Sequence, residues 1–181
     1  MRTEIRLSGR GGQGLITAGI ILAEACGVYE SKEVVQTQSY GPEARGGASR
    51  AEVVISDNQI RYPRAYNPDI LVALSQEAFD RFSPQIKEDG LIFADTFYVE
   101  TDKKEVISMP FSETARTEIG REVVTNILML AALSATTRIV KLESLKKAVK
   151  HRVRSAFIEM NMKALDVGFK LGEEKWKERS S

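Results

Sequence analysis

A glycine-rich run, GRGGQG, lies between a strand pattern and an apolar helix pattern, and it constrains the fold more than any other feature. Residues 3–8 alternate polar and apolar side chains as a strand does, whereas residues 13–27 are mostly apolar and contain no proline, which predicts a buried helix. Between them Gly9, Gly11 and Gly14 match the G-x-G-x-x-G pattern of a strand–turn–helix phosphate loop. The sequence therefore predicts a Rossmann-like start.

Strand and helix patterns alternate along much of the remaining chain. Ser75 is placed to cap a helix, with Glu77 in its first turn, and the sequence becomes helical from about residue 113. This order predicts an α/β, Rossmann-like domain with a mostly parallel sheet, helices on both faces and a helical C-terminal third, spanning residues 1–181. Further strands are predicted at residues 33–39, 49–56, 69–75, 90–96 and 104–110.

The first glycine loop is a candidate cofactor-binding loop, made of Gly9, Gly11, Gly12, Gln13 and Gly14. Glycines let backbone N–H groups approach a phosphate, and the following helix N-terminus adds partial positive charge. A nicotinamide dinucleotide site also needs an acidic residue near the end of the second strand, but that stretch reads QTQ. The loop is consistent with a phosphate-bearing ligand other than NAD. The alternative is that its glycines serve strand–helix packing or a subunit contact.

A second loop, SYGPEARGGAS, is longer than a simple connection requires. In an open parallel sheet it would lie at the same edge as the first loop, where ligands and partners bind. An ordinary turn closed by an internal ion pair between its acidic and basic residues is the alternative. The candidate substrate- or subunit-contact residues are Tyr40, Gly41, Glu43, Arg45, Gly46 and Gly47.

The chain offers no catalytic residue and no metal site of its own. Cys26 is the only cysteine and His151 the only histidine, so we interpret the first as a buried thiol and the second as part of a solvated helix face. Asn126 and Asn161 are interpreted as polar groups that bond a neighbouring turn or subunit. A net charge of +1 predicts no nucleic-acid binding, and the lack of a long apolar run or signal peptide predicts a cytoplasmic protein outside the membrane.

Both loops, with the segments PDILVALSQEAFDRF and GREVVTNILMLAAL, resemble the gamma subunit of 2-oxoacid:ferredoxin oxidoreductases. The pair GRGGQG and YGPEARGG is far more specific than a lone glycine fingerprint, and the resemblance covers essentially the whole chain. The ending PEARGG followed by SRAEVVIS resembles most the enzymes that act on 2-oxoglutarate.

The resemblance implies a Rossmann-like subunit of a larger enzyme that is inactive alone. Such complexes convert a 2-oxoacid and coenzyme A (CoA) to an acyl-CoA and reduce ferredoxin. They use thiamine diphosphate, Mg and iron–sulfur clusters, which the resemblance assigns mainly to alpha, beta and ferredoxin-like delta subunits. No tightly bound cofactor is expected on this chain, and a homodimer is expected when it is isolated.

On this basis the two loops would form a docking edge near the CoA site. Gly11, Gly12 and Gln13 would offer hydrogen-bond donors, and Arg45 a positive charge for a CoA phosphate, the distal carboxylate of the substrate or a neighbouring subunit. The alternatives are an enzyme of the same family acting on pyruvate, branched-chain 2-oxoacids or indolepyruvate, a free-standing NAD(P)-binding oxidoreductase, and a scaffold subunit without a small-molecule ligand.

Overall fold

The computed structural model describes residues 1–39 and 48–180. Six strands and six α-helices form the described fold, and short 3₁₀ and π turns connect several of them. The strands are β1 (Arg2–Gly9), β2 (Glu33–Gln38), β3 (Ser49–Ser56), β4 (Ile70–Ala73), β5 (Leu91–Asp95) and β6 (Ile107–Met109). The helices are α1 (Leu15–Tyr29), α2 (Gln76–Phe82), α3 (Phe111–Thr114), α4 (Thr125–Thr137), α5 (Leu142–Arg152) and α6 (Ile158–Ser180).

The strands form one mixed sheet in the order β2-β3-β1-β4-β5-β6. Strands β1, β4, β5 and β6 run parallel to one another, whereas β3 runs antiparallel to both β1 and β2. The reversal follows from chain length, because parallel neighbours need a crossover of about a dozen residues or more and β2 is joined to β3 by a shorter loop. The predicted α/β, Rossmann-like class is confirmed.

The two faces of the sheet carry separate apolar clusters. Ile5 and Leu7 of β1 pack with α1 and the C-terminal helices, whereas Leu71 and Ala73 of β4 pack with α2 on the opposite face. Because the connection after β1 leads to one side of the sheet and that after β4 to the other, the gap between these two strands is a topological switch point. In open α/β sheets, ligands bind at such a point, outside the carboxyl ends of the strands.

Several boundaries differ from the sequence prediction, most of all at α1 and at β6, which begins at Ile107 rather than at residue 104 because residues 104 and 105 form a turn. Helix α1 begins at Leu15 and continues past Gly27 to Tyr29, so Gly27 does not end it. A glycine is a common helix C-terminus but is tolerated inside a helix, and here the apolar pattern extends beyond it. Ser75 caps α2 as predicted, since its hydroxyl accepts a hydrogen bond from the Ala78 N–H at 3.3 Å.

Helices α4 and α6 pack very closely over one face of the sheet. Most of α4 is buried, as its apolar sequence predicts. A Cβ atom on Gly168 of α6 would lie 2.1 Å from the carbonyl oxygen of Leu128 in α4, so only glycine permits this approach. Within the described part of the chain, no helix combines the length and the apolar character that crossing a membrane requires.

Candidate functional site

The first glycine loop lies at the switch point between β1 and β4. Leu74, directly after β4, donates its N–H to Ser8 O of β1 at 2.8 Å, which closes the sheet up to this edge. The Gln13 side chain crosses the same gap: its Nε2 donates to Leu74 O at 2.9 Å, and its Oε1 accepts the Arg10 N–H at 2.6 Å. The Gln13 amide therefore occupies the mouth of the crevice.

Two glycines of the fingerprint are required by the internal structure. A Cβ atom on Gly9 would lie 2.3 Å from Gln13 Oε1. Gly14 precedes α1 with φ of 72° and faces Asn126, whose Nδ2 donates to Gly14 O at 3.0 Å. Tight packing, the alternative reading of these glycines, is thus part of their role. Phosphate binding by the loop stays a prediction.

Donors remain at the outer side of this loop. Gly11 and Gly12 are exposed, and no described residue accepts a hydrogen bond from their N–H groups. Helix α1 begins without a side-chain cap and without an acidic residue in its first turn. Its first N–H groups have no partner within the helix, and together with the helix dipole they favour a negatively charged group.

Arg10 provides a positive charge at this edge, and sequence reasoning did not single it out. Its guanidinium carbon lies 5.3 Å from the centroid of the Tyr98 ring, so the side chain reaches from the β1 loop towards the end of β5. The Tyr98 hydroxyl donates to Glu122 Oε1 at 2.6 Å, and this hydrogen bond raises the pKa of Tyr98. The ring beneath Arg10 is therefore held in place.

A second arginine lies beside this contact. The Arg116 guanidinium stacks 3.8 Å from the centroid of Phe97, an exposed ring, and its Nε lies 3.6 Å from Glu122 Oε2. Its Nη2 is buried without a hydrogen-bond partner among the described residues. Arg10 and Arg116 thus lie over the neighbouring rings of Tyr98 and Phe97, and Glu122 bonds the Tyr98 hydroxyl and pairs with Arg116.

The second predicted loop, Tyr40–Gly47 (Tyr40, Gly41, Glu43, Arg45, Gly46 and Gly47), lies outside the described residues, but both of its attachment points are described. Gln38 at the end of β2 pairs with Ala51, and Ser49 at the start of β3 pairs with Gly9 at the end of β1. Ala48 is anchored where its N–H donates to Glu77 Oε1 of α2 at 3.2 Å. The loop therefore leaves and re-enters the sheet at the edge that carries the first loop.

An apolar cavity of about 280 Å³ borders the first loop on the α1 side. It lies between Gly12 and Gly14 on one side and the starts of α4 and α6 on the other. Val123 and Phe157 line it and are 71% and 49% exposed. Exposed apolar side chains grouped beside a cavity are typical of a surface that another molecule covers.

The remaining candidates have structural roles. Burial raises the pKa of Cys26 to about 12, which makes it an inert thiol as predicted. The His151 ring is exposed as predicted, but its Nδ1 also lies 2.7 Å from Oε1 of Glu24 in α1, which Arg152 bonds as well. Asn161 Nδ2 donates to Phe157 O at 2.8 Å, which confirms it as a satisfied polar group.

Few side chains in this region could bind a metal ion or transfer a proton. Among residues 1–39 and 48–180, no group of three or more His, Cys, Asp or Glu side chains could hold a metal ion. Asp95, fully buried at the end of β5, has its pKa raised by burial and is bonded by Ser112 and by the Phe97 N–H. It therefore fixes the turn that presents Phe97 and Tyr98.

Comparison with known proteins gives full-length matches. The family model described as pyruvate ferredoxin/flavodoxin oxidoreductase matches residues 4–171. The 2-oxoglutarate synthase subunit KorC of Methanocaldococcus jannaschii is 49% identical over 179 residues, covering 96% of each protein. The gamma subunit of a keto/oxoacid ferredoxin oxidoreductase from Geobacter sulfurreducens has the same fold, with a TM-score of 0.88 at 44% identity over 97% of this chain and 98% of that one.

A relative with another named substrate is less similar. The pyruvate/ketoisovalerate oxidoreductases common subunit gamma of Thermococcus kodakarensis is 34% identical over 179 residues, covering 92% of this chain and 95% of that protein. The length of the match is thus the same in both cases, and the identity differs.

Proposed function

Because this chain belongs to the pyruvate ferredoxin/flavodoxin oxidoreductase family, we propose that it is the gamma subunit of a 2-oxoglutarate:ferredoxin oxidoreductase. The complex would convert 2-oxoglutarate and CoA to succinyl-CoA and reduce ferredoxin. The observation that carries this proposal is the 49% identity to a 2-oxoglutarate synthase subunit along nearly the full length of both chains. The family resemblance drawn from the two loops is confirmed.

The substrate proposal rests on a difference in similarity. A relative named for pyruvate and ketoisovalerate matches over the same length but at 34% identity, which favours 2-oxoglutarate over pyruvate or branched-chain 2-oxoacids. Indolepyruvate stays an alternative. A free-standing NAD(P) enzyme is disfavoured because Gln36, Thr37 and Gln38 form the end of β2, where a dinucleotide site needs a ribose-binding acid. The Gln13 amide also fills the crevice that a pyrophosphate would need.

The division of labour in the complex follows from the side chains. A cluster needs several thiolates, whereas this chain has one cysteine, buried and with a raised pKa. Iron–sulfur clusters therefore do not fit this chain. We assign them, with thiamine diphosphate and Mg, to alpha, beta and delta partner subunits. Ferredoxin would accept the electrons from the complex. A cytoplasmic location is part of the same proposal.

This chain's own contribution would be docking and charge. The apolar surface at Val123 and Phe157 fits a partner subunit, because its rings and methyl groups are exposed beside a cavity. The N–H groups of Gly11 and Gly12, the start of α1 and the Arg10 guanidinium would together attract a phosphate of CoA. Arg45 would add a charge for CoA, the distal carboxylate or a neighbouring subunit.

An anaerobic affinity purification of the tagged chain from its native cells tests the assignment. We expect larger subunits to co-purify with a brown cluster spectrum, and the sample to reduce viologen with 2-oxoglutarate and CoA together but with neither alone. Faster reduction with pyruvate than with 2-oxoglutarate would overturn the substrate. A colourless, solitary protein would overturn the subunit assignment.

Substitution of Arg45 tests the role of the second loop. In the reconstituted complex, Arg45→Ala should raise KM for CoA or for the 2-oxoacid by about tenfold, the loss expected of one charge-assisted hydrogen bond. Arg61→Ala is a matched control, since Arg61 is exposed and the neighbouring Tyr62 O accepts a bond from Arg2 at the opposite edge of the sheet. Unchanged KM values for both substrates with intact assembly would exclude this role.

A further inference from the structure

A cavity of about 450 Å³ opens on the sheet face opposite α1. Its floor is the buried pair Arg6 and Glu52, from β1 and β3, and one wall is the end of β2 with Thr37 and Ser39. The segment around Ala65 closes another side. This cavity is separate from the switch-point crevice and from the apolar cavity at Val123.

The described residues that line this cavity carry an excess of two positive charges, because three arginines face one carboxylate. Arg6 is the neutralised one: Nε and Nη2 donate to Glu52 Oε1 at 3.0 and 2.8 Å, and Nη2 also donates to Ala65 O at 2.7 Å. The same Glu52 oxygen lies 3.8 Å from Arg50 Nε, so Arg50 is only weakly paired. No acidic group among residues 1–39 and 48–180 lies within ion-pair distance of Arg64, which is exposed.

Hydroxyl groups on the β2 wall complete the site. Ser39 Oγ is buried and has no hydrogen-bond partner among the described residues. A buried hydroxyl without a partner is unfavourable, and a hydrogen bond donated by Ser39 Oγ to an anion would satisfy it. Tyr66 stands at the rim with most of its surface exposed, which provides an aromatic face beside the charged site.

We propose that this cavity binds a phosphate-bearing small molecule of nucleoside diphosphate size, with Arg50 and Arg64 as its cations and Ser39 as a donor. Arginine presents parallel N–H groups that match phosphate oxygens. The volume falls within the range of small-molecule sites and exceeds what an isolated phosphate fills. The exposed Tyr66 ring suits a base, because stacking on an aromatic face tolerates any base. The inference stands apart from the proposed function, which uses neither arginine.

Calorimetry on the purified full-length chain tests the proposal at low ionic strength, with ADP, pyrophosphate and 2-oxoglutarate as separate titrants. ADP and pyrophosphate should bind the unaltered chain. Arg64→Gln should weaken both by about tenfold, and Arg64→Lys should restore part of the loss. Arg64 is exposed, so neither variant should change the unfolding temperature. Arg61→Gln is the matched control, because it removes the same charge three residues away without touching the cavity.

Each other outcome would overturn a stated part of the proposal. Binding of 2-oxoglutarate without binding of ADP or pyrophosphate would refute the phosphate class. Binding that Arg64→Gln leaves unchanged would place the anion elsewhere, for example at the first glycine loop. If Arg61→Gln weakens binding of ADP and pyrophosphate as much as Arg64→Gln does, the affinity reflects only the general positive charge of the surface and not a site in this cavity. No binding of any titrant would remove the site and leave the subunit assignment untouched.

Discussion

The buried pair between Arg6 and Glu52 should be the most sensitive polar contact in the described fold. Both side chains are almost fully buried, at 4% and 8% exposure, and Arg6 makes further hydrogen bonds to Ala65 O and to Gln85 Oε1 at 2.7 and 2.6 Å. Glu52→Gln keeps the shape but removes the negative charge, which leaves the guanidinium buried and unneutralised beside Arg50. Removing one partner of a buried pair typically costs 3–5 kcal/mol. Because one side of the pair faces an open cavity, we expect about 3 kcal/mol.

Urea unfolding of the purified chain measures this change, with an unaltered m-value as evidence that the folded state is the same. Asp57→Asn is the matched control, because Asp57 pairs with Lys32 and the N-terminal amine at an exposed site. It should change stability far less. The double replacement Arg6→Met with Glu52→Leu should be less destabilising than Glu52→Gln, since no unpaired charge remains. If Glu52→Gln costs less than about 0.5 kcal/mol, the pair is not the buried anchor described here.

Three further predictions follow from single contacts. Tyr98→Phe keeps the ring under the loop arginine but loses the bond to Glu122, and should raise KM for CoA in the complex about threefold without changing kcat, as steady-state kinetics can check. Gly168→Ala should lower the free energy of unfolding, measured in urea, by roughly 1–3 kcal/mol, because the added methyl group meets the α4 backbone. Burial alone would raise the pKa of Glu24, but bonds from Arg152 and a histidine lower it on balance. Its stabilisation is therefore present at pH 7 and lost as pH falls through the lowered pKa, so Glu24→Gln should destabilise the chain at pH 7, and this difference should shrink as the pH falls below 4.5.

The sequence predicts those parts of the fold that depend on local pattern. The strands, the Ser75 cap and the buried α4 could be read directly, because periodicity and capping act over a few residues. The end of α1 could not be predicted, because a glycine such as Gly27 often ends a helix. Here the helix continues to Tyr29 through its packing against the rest of the fold. The direction of β3 depends on which strand it pairs with, a long-range property that local periodicity does not encode.

The candidate site divides in the same way. The glycine loop is visible as a motif. The hydrogen bond that its Gln13 side chain donates to Leu74 O becomes apparent only when the fold places Leu74 next to the loop. Arg10 and Tyr98 are 88 positions apart in sequence, and their contact requires the order β1-β4-β5. The same holds for Arg50 and Arg64, which share a cavity because β3 and the segment before β4 border it together. Arg10 and Arg50 stand inside segments already singled out in the sequence, but their partners lie far away in the chain, so no local pattern could have indicated these contacts.

The position of Gln13 explains why a dinucleotide-type motif can serve a different ligand. In a dinucleotide-binding sheet, the pyrophosphate enters the switch-point crevice and contacts the start of the helix. Here the Gln13 amide spans that crevice between Arg10 N and Leu74 O, and Gly9 lacks a Cβ atom at the point where the amide packs. A ligand would therefore contact the outer side of the loop, at Gly11 and Gly12, rather than lie within the sheet edge. A ligand on this outer surface can also contact a second subunit, whereas a ligand inside a crevice closed by one chain cannot.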